Sequence, residues 1–375
     1  MLSSFTVRPG AILVLSGLLL GGAHGLSSAA SSLVVEESSL NVTIRGRDHA
    51  LAALIVKPSG ATDRLPIALI THGSPRDSAQ RPTYRVTAML PRARDLAHRG
   101  WLAVAFLRRG FGGSQGPFVE GFTCEAPDFR RALATAAEDI EAVRAAVARR
   151  PDADATRVLG LGVSVGGAAM LAWAATRPDG LLGVVNVSGG TGALIPGRHC
   201  DEDGLVSAVA SYGARTRIPT LWLYAENDSF FGPALVRGMH GAFTQSGGDA
   251  SLRLFGPVGE DGHTLWSRFD GLLLWLPELD RFLRAHGVPT WDPGPIEATA
   301  SRLTPSARQV LQTYLSAPTE KAFSISRRKG LARFWSAVAD LETARQKSRE
   351  QCEHDSEERC DVLFEDFTAA SPSIQ

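Results

Sequence analysis

The sequence has no net charge, few lysines, no long apolar run after its first 30 residues and no repeats. Each of these features excludes or disfavours some classes of protein. Its 39 basic and 39 acidic residues cancel, so no charge surplus indicates nucleic acid as a partner. Only four of the basic residues are lysines; the rest are arginines. After the first 30 residues, no stretch reaches the roughly 18 apolar residues of a spanning helix, so no membrane span is predicted there. Internal repeats and long low-complexity blocks are also missing.

Cysteine is scarce as well, with Cys124, Cys200, Cys352 and Cys360 in a chain of 375 residues. None of them has the C-x-x-C spacing of a zinc site, and no metal or organic cofactor is predicted. An even number of cysteines in an exported chain indicates two disulfides. We predict the pairs Cys124–Cys200 and Cys352–Cys360, because each pair then lies within one predicted domain.

Residues 1–30 have the composition of an export signal. Arg8 precedes an apolar run at residues 11–20, and glycine, alanine and serine follow it. A basic start, an apolar centre and small residues at the cleavage site are typical of a signal peptide. The run is too short to span a bilayer comfortably. We therefore predict that the protein is exported, to the periplasm or out of the cell; an uncleaved anchor is the alternative.

Residues 33–287 alternate between strand-like and helix-like segments, in a chain whose 44% hydrophobic and 21% charged residues are typical of a globular protein. Helical patterns occupy residues 132–149, 235–245 and 272–285. This alternation predicts an α/β fold with a mostly parallel, doubly wound sheet. The strands are predicted as short apolar runs, buried on both faces, at residues 51–56, 66–71, 102–107, 157–163, 182–187, 220–224 and 251–255.

Glycine and proline punctuate residues 288–304, which we interpret as a linker. A small C-terminal α+β module is predicted at residues 305–367, with a strand at 321–326, a helix at 333–351 and a strand at 361–367. Residues 368–375 are predicted to be a disordered tail. We expect the module to be dispensable for chemistry; the alternative is that it covers the pocket as a lid.

The strongest chemical signal is the motif Gly-x-Ser-x-Gly, formed by Gly162, Ser164 and Gly166. It stands directly after a predicted strand and directly before a helical pattern at residues 168–176. This is the context of a nucleophile elbow, a sharp turn that exposes a serine above the sheet. Ser164 is therefore the predicted nucleophile.

A serine nucleophile needs a general base, and the base needs an acid that orients it. Among the five histidines after Ser164, His263 lies in a glycine-rich loop just after the last predicted strand of the sheet. The acid is expected a few residues past the preceding strand, where Asp228 is favoured and Glu226 is the rival. Asp261 is too close to His263 in sequence to be the expected partner.

The tetrahedral intermediate of acyl transfer also needs hydrogen-bond donors. The predicted donors are the backbone N–H groups of Val165, next to the nucleophile, and of Ser74, in the loop after the strand at 66–71. Two further loops follow strands at the edge where open α/β sheets bind ligands. From the positions of these loops, after the strands at 102–107 and 182–187, we predict that the pocket is lined by Arg109, Gly110, Phe111 and Gly189.

Residues 48–287, about two thirds of the chain, resemble the dienelactone hydrolase and prolyl-oligopeptidase-like branch of the α/β-hydrolases. This resemblance implies the same nucleophile, acid and base. Dienelactone hydrolases use a cysteine where this chain has Ser164, which favours a general carboxylesterase. The C-terminal region is similar to a short cysteine-containing module of exported bacterial hydrolases. The matching motifs are His72-Gly73-Ser74, Arg109-Gly110-Phe111-Gly112, Gly162-Val163-Ser164-Val165-Gly166-Gly167, Tyr224-Ala225-Glu226-Asn227-Asp228 and Asp261-Gly262-His263.

The sequence thus predicts a serine hydrolase that cleaves small-molecule carboxylic esters through an acyl-enzyme. Only about 30 residues separate Gly190 from the strand at 220–224, which is too few for a large lid domain. A peptidase or amidase acting on short substrates is the alternative within the same chemistry. A non-catalytic binding protein of the cell envelope, built on the same fold, is the alternative outside it.

Overall fold

The computed structural model describes residues 33–75 and 77–370. The predicted signal peptide at residues 1–30 and the last five residues of the predicted tail lie outside the described residues. No helix in the described ranges is both long enough and apolar enough to cross a membrane.

Fourteen strands form three sheets in the described chain. All seven strands predicted between residues 51 and 255 are present, most of them with one to four more residues. In chain order the strands are β1 (Leu33–Ile44), β2 (Arg47–Pro58), β3 (Leu65–Thr71), β4 (Leu102–Phe106), β5 (Ala153–Val163), β6 (Leu181–Val187), β7 (Ala193–Ile195), β8 (Arg198–His199), β9 (Thr220–Ala225), β10 (Ala250–Phe255), β11 (Ala322–Ser326), β12 (Ala332–Trp335), β13 (Cys360–Glu365) and β14 (Thr368–Ala369).

The large sheet has eight strands in the order β1-β2-β4-β3-β5-β6-β9-β10. The pairs β1/β2 and β2/β4 are antiparallel, and every other pair is parallel. The parallel strands β3, β5, β6 and β9 therefore end at one edge, where their loops meet. This confirms the predicted doubly wound, mostly parallel sheet.

Helices cover both faces of this sheet, and each face has its own apolar core. The second to fifth helices pack on one face, and the first and sixth pack on the other. The α-helices are α1 (Leu90–Ala97), α2 (Phe129–Val147), α3 (Val165–Ala174), α4 (Glu202–Gly213), α5 (Pro233–Gln245), α6 (Phe269–Ala285), α7 (Gly294–Ala300), α8 (Pro305–Ser316) and α9 (Leu341–Ser356).

Strand β1 was not predicted from the sequence. Half of its residues are polar and most are exposed, as suits the outer strand of a sheet, and only Val42 and Ile44 are buried. It pairs with β2 along its full length through a turn at Arg45 and Gly46, which both have positive φ angles (50° and 73°). Two successive residues of this kind form the tight turn whose twist matches an antiparallel pair.

The C-terminal region forms its own four-stranded sheet, in the order β12-β11-β13-β14, with α8 and α9 and a separate apolar core. Three predictions about it need correction. The predicted linker contains α7, and Ile296 of that helix is buried in the core of the module. The predicted helix at 333–351 begins only at Leu341, because Asp340 caps it and residues 332–335 form β12. Thr368 and Ala369, predicted as tail, pair with β13 as β14.

This module packs against α6 through α8, and against α1 through buried polar contacts. Oδ1 of Asp95, on α1, accepts hydrogen bonds from both the backbone N and the hydroxyl of Thr319, each at 2.9 Å. The indole N–H of Trp101 donates to the carbonyl of Pro289 at 3.0 Å. Buried polar groups cost free energy when their partners are removed. The module is therefore part of the folded unit, although its proposed independence from the chemistry stays a prediction.

We expect Asp95→Ala to destabilise the protein strongly. Asp95 and Arg92 form an ion pair at 2.9 Å whose side chains are 2% and 5% exposed. Removing one partner of a buried pair costs about 3–5 kcal/mol, because the other charge stays buried without compensation. The matched control is Asp361→Ala, because Asp361 and Arg327 are about half exposed. That variant should lose less than about 1 kcal/mol.

The free energy of unfolding in urea, measured on both variants, checks this prediction. Equal and small losses would show that the module docks without depending on Asp95.

Candidate active site

Ser164 lies at the turn between β5 and α3, and its backbone is strained. Its φ and ψ are 55° and −126°, a region that residues with a side chain rarely adopt. Its backbone N donates to the carbonyl of Val187 at 3.0 Å, and its carbonyl accepts from the N of Gly190 at 3.1 Å. The loop after β6 thus holds the turn from the side. Strain that the surroundings enforce in this way is typical of functional positions.

The glycines of the motif are required by close backbone approach. A Cβ on Gly162 would lie 2.3 Å from the carbonyl oxygen of Gly166. One on Gly166 would lie 2.4 Å from the carbonyl oxygen of His72, in the loop after β3. Both of these carbonyl oxygens belong to the backbone, so they cannot move away without disrupting the local fold. The motif therefore fits the geometry of a nucleophile elbow in full.

His263 and Asp228 are brought together from two loops. Nδ1 of His263 lies 3.1 Å from each carboxylate oxygen of Asp228, whose side chain is fully buried. Oδ1 of Asp228 also accepts from the backbone N of Phe230 at 2.9 Å and of Phe231 at 3.0 Å. The carboxylate thus has three hydrogen-bond partners. Because it binds Nδ1, the other ring nitrogen, Nε2, points away from Asp228. Glu226, the rival acid, is exposed to solvent.

The loops that carry the acid and the histidine are linked to each other. Oδ1 of Asn227 accepts from the backbone N of Val258 at 2.8 Å. Asp261 accepts from the backbone N and the hydroxyl of Ser229, and from the backbone N of His263. Asp261 therefore orients the histidine loop and does not contact the imidazole nitrogens, as its sequence position predicted.

Ser164 and His263 both line one cavity of about 680 Å³ at the carboxyl edge of the sheet. In the described residues, no hydrogen bond joins the hydroxyl of Ser164 to the imidazole. Catalytic hydrogen bonds often shorten only when substrate is bound. The volume lies within the range of small-molecule pockets, about 300–1,000 Å³.

The two residues predicted to supply the oxyanion donors both line the same cavity. Val165 is the first residue of α3, where a backbone N–H has no partner within the helix. Ser74 lines the cavity from the loop after β3. Its hydroxyl is buried and makes no hydrogen bond with any described residue. The start of α3 also carries the positive end of the helix dipole, which favours negative charge at this point.

Arg108 organises the loop that carries Ser74, a role that no sequence motif indicated. Its guanidinium donates to the hydroxyl of Thr71 at 2.8 Å and to the carbonyl of His72 at 2.7 Å, and it pairs with the buried Glu120. The imidazole of His72 bridges the carbonyl of Gly73 and the backbone N of Arg108. Burial, with the Arg108 charge beside it, holds the pKa of His72 well below its usual value. His72 is therefore a neutral, structural histidine.

Four residues predicted to line the pocket do not line this cavity. Arg109 is instead bound to the buried Asp139, through its backbone N at 2.7 Å and its guanidinium at 2.6 Å. Phe111 is fully buried and packs against His72, with ring centroids 4.5 Å apart. Gly110 packs against the backbone of Phe118. Gly189 packs on a buried asparagine under the elbow, and its neighbour Gly190 reaches the cavity instead.

A buried polar network under the elbow was also missed. The amide nitrogen of Asn186, on β6, donates to the hydroxyl of Tyr224 at 3.1 Å, and that hydroxyl donates to the carbonyl of Gly189 at 2.7 Å. A Cβ on Gly167 would lie 2.2 Å from Oδ1 of Asn186. The glycine directly after the motif therefore makes room for an asparagine that supports the turn.

The cysteines pair as predicted, Cys124 with Cys200 and Cys352 with Cys360. Both members of the first pair line the cavity that Ser164 also lines. The second joins the end of α9 to β13 in the C-terminal module. No residue of that module is among those that line the cavity, so the described geometry gives no support to the lid alternative.

One cluster in the described residues has the composition of a metal site: His98, Glu320 and Asp366, whose candidate ligand atoms lie within 4.8 Å of one another. Each ring nitrogen of His98 already faces a different carboxylate, at 3.3 Å for Glu320 and 3.4 Å for Asp366. These carboxylates raise the pKa of His98 in spite of its burial. The cluster is thus an ion-pair network between α1 and the module, and none of its three residues lines the cavity.

The strand order, the strained serine between strand and helix, and the histidine and acid on the loops beyond it define an α/β-hydrolase fold. The fold class predicted from the sequence is therefore confirmed. The chain matches no model of a known protein family and no curated protein.

Solved structures of similar fold were found. A dienelactone hydrolase-like promiscuous phosphotriesterase from metagenomic libraries is 17% identical, over 69% of this chain and 90% of its own, with a TM-score of 0.45. An esterase of Pyrococcus furiosus is 15% identical, over 67% of this chain and 91% of its own, with a TM-score of 0.45. An acylaminoacyl peptidase is 15% identical over 69% of this chain, with a TM-score of 0.48, and only 42% of its own length is covered. These likenesses concern the fold.

Proposed function

We propose that this protein is an exported serine hydrolase that cleaves carboxylic esters through an acyl-enzyme. The observation that carries the proposal is the arrangement of three groups. Ser164, on a strained elbow, lines the same cavity as His263. The buried carboxylate of Asp228 binds Nδ1 of that histidine. This is the order of nucleophile, base and orienting acid that acyl transfer requires.

In the first step, Oγ of Ser164 attacks the ester carbonyl carbon, and Nε2 of His263 takes the hydroxyl proton. The new C–O bond pushes the carbonyl electron pair onto oxygen, where the N–H groups of Val165 and Ser74 stabilise the negative charge. The carboxylate of Asp228 stabilises the imidazolium that forms and does not itself become protonated.

As the tetrahedral intermediate collapses, the bond to the alcohol oxygen breaks, and His263 returns its proton to that oxygen. The acyl group stays on Ser164. Water then attacks the acyl-enzyme, with His263 again taking a proton, and a second collapse releases the carboxylic acid and restores the serine. No metal or organic cofactor enters either step.

Export is part of the proposal and is supported by the cysteines. Disulfides persist in oxidising compartments such as the periplasm and the cell exterior. All four cysteines of this chain are paired.

We expect a fluorophosphonate probe to label the wild-type protein on Ser164 only. An activated serine attacks phosphorus as it attacks a carbonyl carbon, and Ser164→Ala removes the attacking oxygen. Mass spectrometry of the labelled peptide is the measurement. Absence of labelling in the folded wild type would favour a non-catalytic binding protein on this fold.

A matched pair of substrates, p-nitrophenyl hexanoate and hexanoyl p-nitroanilide, distinguishes ester from amide cleavage. We expect the ester to have the higher kcat/KM. A higher value for the anilide would assign the chain to the peptidase and amidase alternative.

A further inference from the structure

Five of the residues that line the cavity come from two loops that a disulfide joins. Because the set is used as a unit, we call it the disulfide wall. Three of its members are apolar side chains and two are the half-cystines that join the loops. The disulfide wall consists of Phe118, Phe122, Cys124, Leu194 and Cys200.

The two loops of the disulfide wall come from distant parts of the chain. Phe118, Phe122 and Cys124 lie between β4 and α2, in residues that form neither helix nor strand. Leu194 lies on β7, and Cys200 directly follows β8. The bond between Cys124 and Cys200 closes a sequence separation of 76 residues. It is the covalent connection between the two loops.

Other contacts show that the loops are otherwise held from outside the cavity. The ring of Phe122 packs edge-on against Phe129 of α2, with centroids 5.0 Å apart. In the hairpin of β7 and β8, the backbone N of Gly197 donates to the carbonyl of Ser229 at 2.8 Å. Each loop thus has its own anchor, and the disulfide joins the two loops to each other at the cavity.

The tip of the β7–β8 hairpin exposes apolar surface at the cavity. Leu194 is 40% exposed and lines the cavity. Its neighbour Ile195 is 51% exposed and does not line it. Successive residues of a strand point to opposite sides, which explains the difference. An apolar side chain left in solvent beside a nucleophile is available to an apolar part of a substrate.

We propose that the disulfide wall binds the acyl group of the substrate and selects esters of medium-length apolar acids over acetate esters, with the disulfide keeping the wall in its binding position. This inference rests on the proposed esterase function. The acyl group is assigned to the wall because it stays on Ser164 through both steps, whereas the alcohol leaves after the first. Contacts with the acyl group therefore act on both transition states.

The first test compares kcat/KM for p-nitrophenyl hexanoate and p-nitrophenyl acetate. Each buried methylene contributes about fourfold, so four more methylenes give at most about 200-fold. We expect the wild-type ratio to be about tenfold or more, because part of the chain remains near solvent. A wild-type ratio near one, with both esters hydrolysed, would contradict the proposed role of the disulfide wall in binding the acyl group. It would leave the esterase proposal intact. No turnover of either ester would overturn the esterase proposal itself.

The second test changes the disulfide. In C124S/C200S we expect the hexanoate-to-acetate ratio to fall about fourfold or more, the equivalent of at least one lost methylene contact. The matched control is C352S/C360S, which removes the other disulfide in the module and should leave the ratio unchanged. An equal ratio in the two double variants would contradict a role of the first disulfide in selectivity.

A third comparison keeps the proposal testable if C124S/C200S does not fold. Leu194→Ser and Ile195→Ser change adjacent, exposed residues of one strand and create the same side chain. We expect the first to lower the ratio by about fourfold or more and the second to keep it within about twofold. Equal effects of the two substitutions would show that the wall does not contact the acyl group.

Discussion

Ser164→Ala is expected to lower kcat for ester hydrolysis about 10⁶-fold in a protein that remains folded. The substitution deletes the oxygen that forms the acyl-enzyme, so neither step of the proposed reaction can start. What remains is the acceleration that the oxyanion donors and substrate binding give to direct attack by water, which is typically about 10³- to 10⁴-fold over solution.

The structure indicates why this variant should fold. The hydroxyl of Ser164 makes no hydrogen bond with any described residue, so its removal leaves no partner unsatisfied. Alanine has the same Cβ as serine and meets the same steric limits at φ 55°. The thermal midpoint should therefore stay within a few degrees of the wild type. A folded variant that retained more than about one hundredth of kcat would show that another residue is the nucleophile.

The elbow was predictable because its signal is local. The elbow consists of a strand, a strained serine flanked by glycines and a helix, all within about 20 residues. Each of these structural constraints requires a particular residue type at a fixed position of the motif. The choice of Asp228 over Glu226 rested on the distance from a strand end. The structure places Asp228 at the imidazole and Glu226 in solvent. The sequence was sufficient to favour Asp228 over Glu226 as the acid, because the loop after β9 is short.

The cavity lining was less predictable, because it depends on which side a loop residue faces. Arg109 follows β4 at the expected edge, but the buried carboxylate of Asp139, 30 residues later, binds it inside the fold. The network of Asn186 and Tyr224 likewise joins two strands that are adjacent only in space. In the linker, proline and glycine were interpreted as breaks in structure, whereas they begin α7. Proline fits the first turn of a helix, where no hydrogen-bond donor is needed.

Asp228→Asn is expected to lower kcat about 10⁴-fold without unfolding the protein. The reason lies in the contacts of the two carboxylate oxygens. Oδ1 accepts from the backbone N–H groups of Phe230 and Phe231 as well as facing His263. In the variant the amide oxygen must keep that position, since an NH₂ group there would face two donors. The amide NH₂ then replaces Oδ2, which lies 3.1 Å from Nδ1 of His263.

An NH₂ group at that position donates to Nδ1, which must then be the unprotonated nitrogen, so the proton of the neutral imidazole moves to Nε2. In that tautomer His263 cannot accept the proton of Ser164, and no carboxylate stabilises the imidazolium. Glu226→Gln is the matched control, because it makes the same chemical change two residues away on an exposed side chain, and it should keep kcat within about threefold. Steady-state kcat for a p-nitrophenyl ester, measured on both variants and on wild type, is the test. If Glu226→Gln caused the larger loss, Glu226 would be the acid and the histidine loop would have to move during catalysis to reach it.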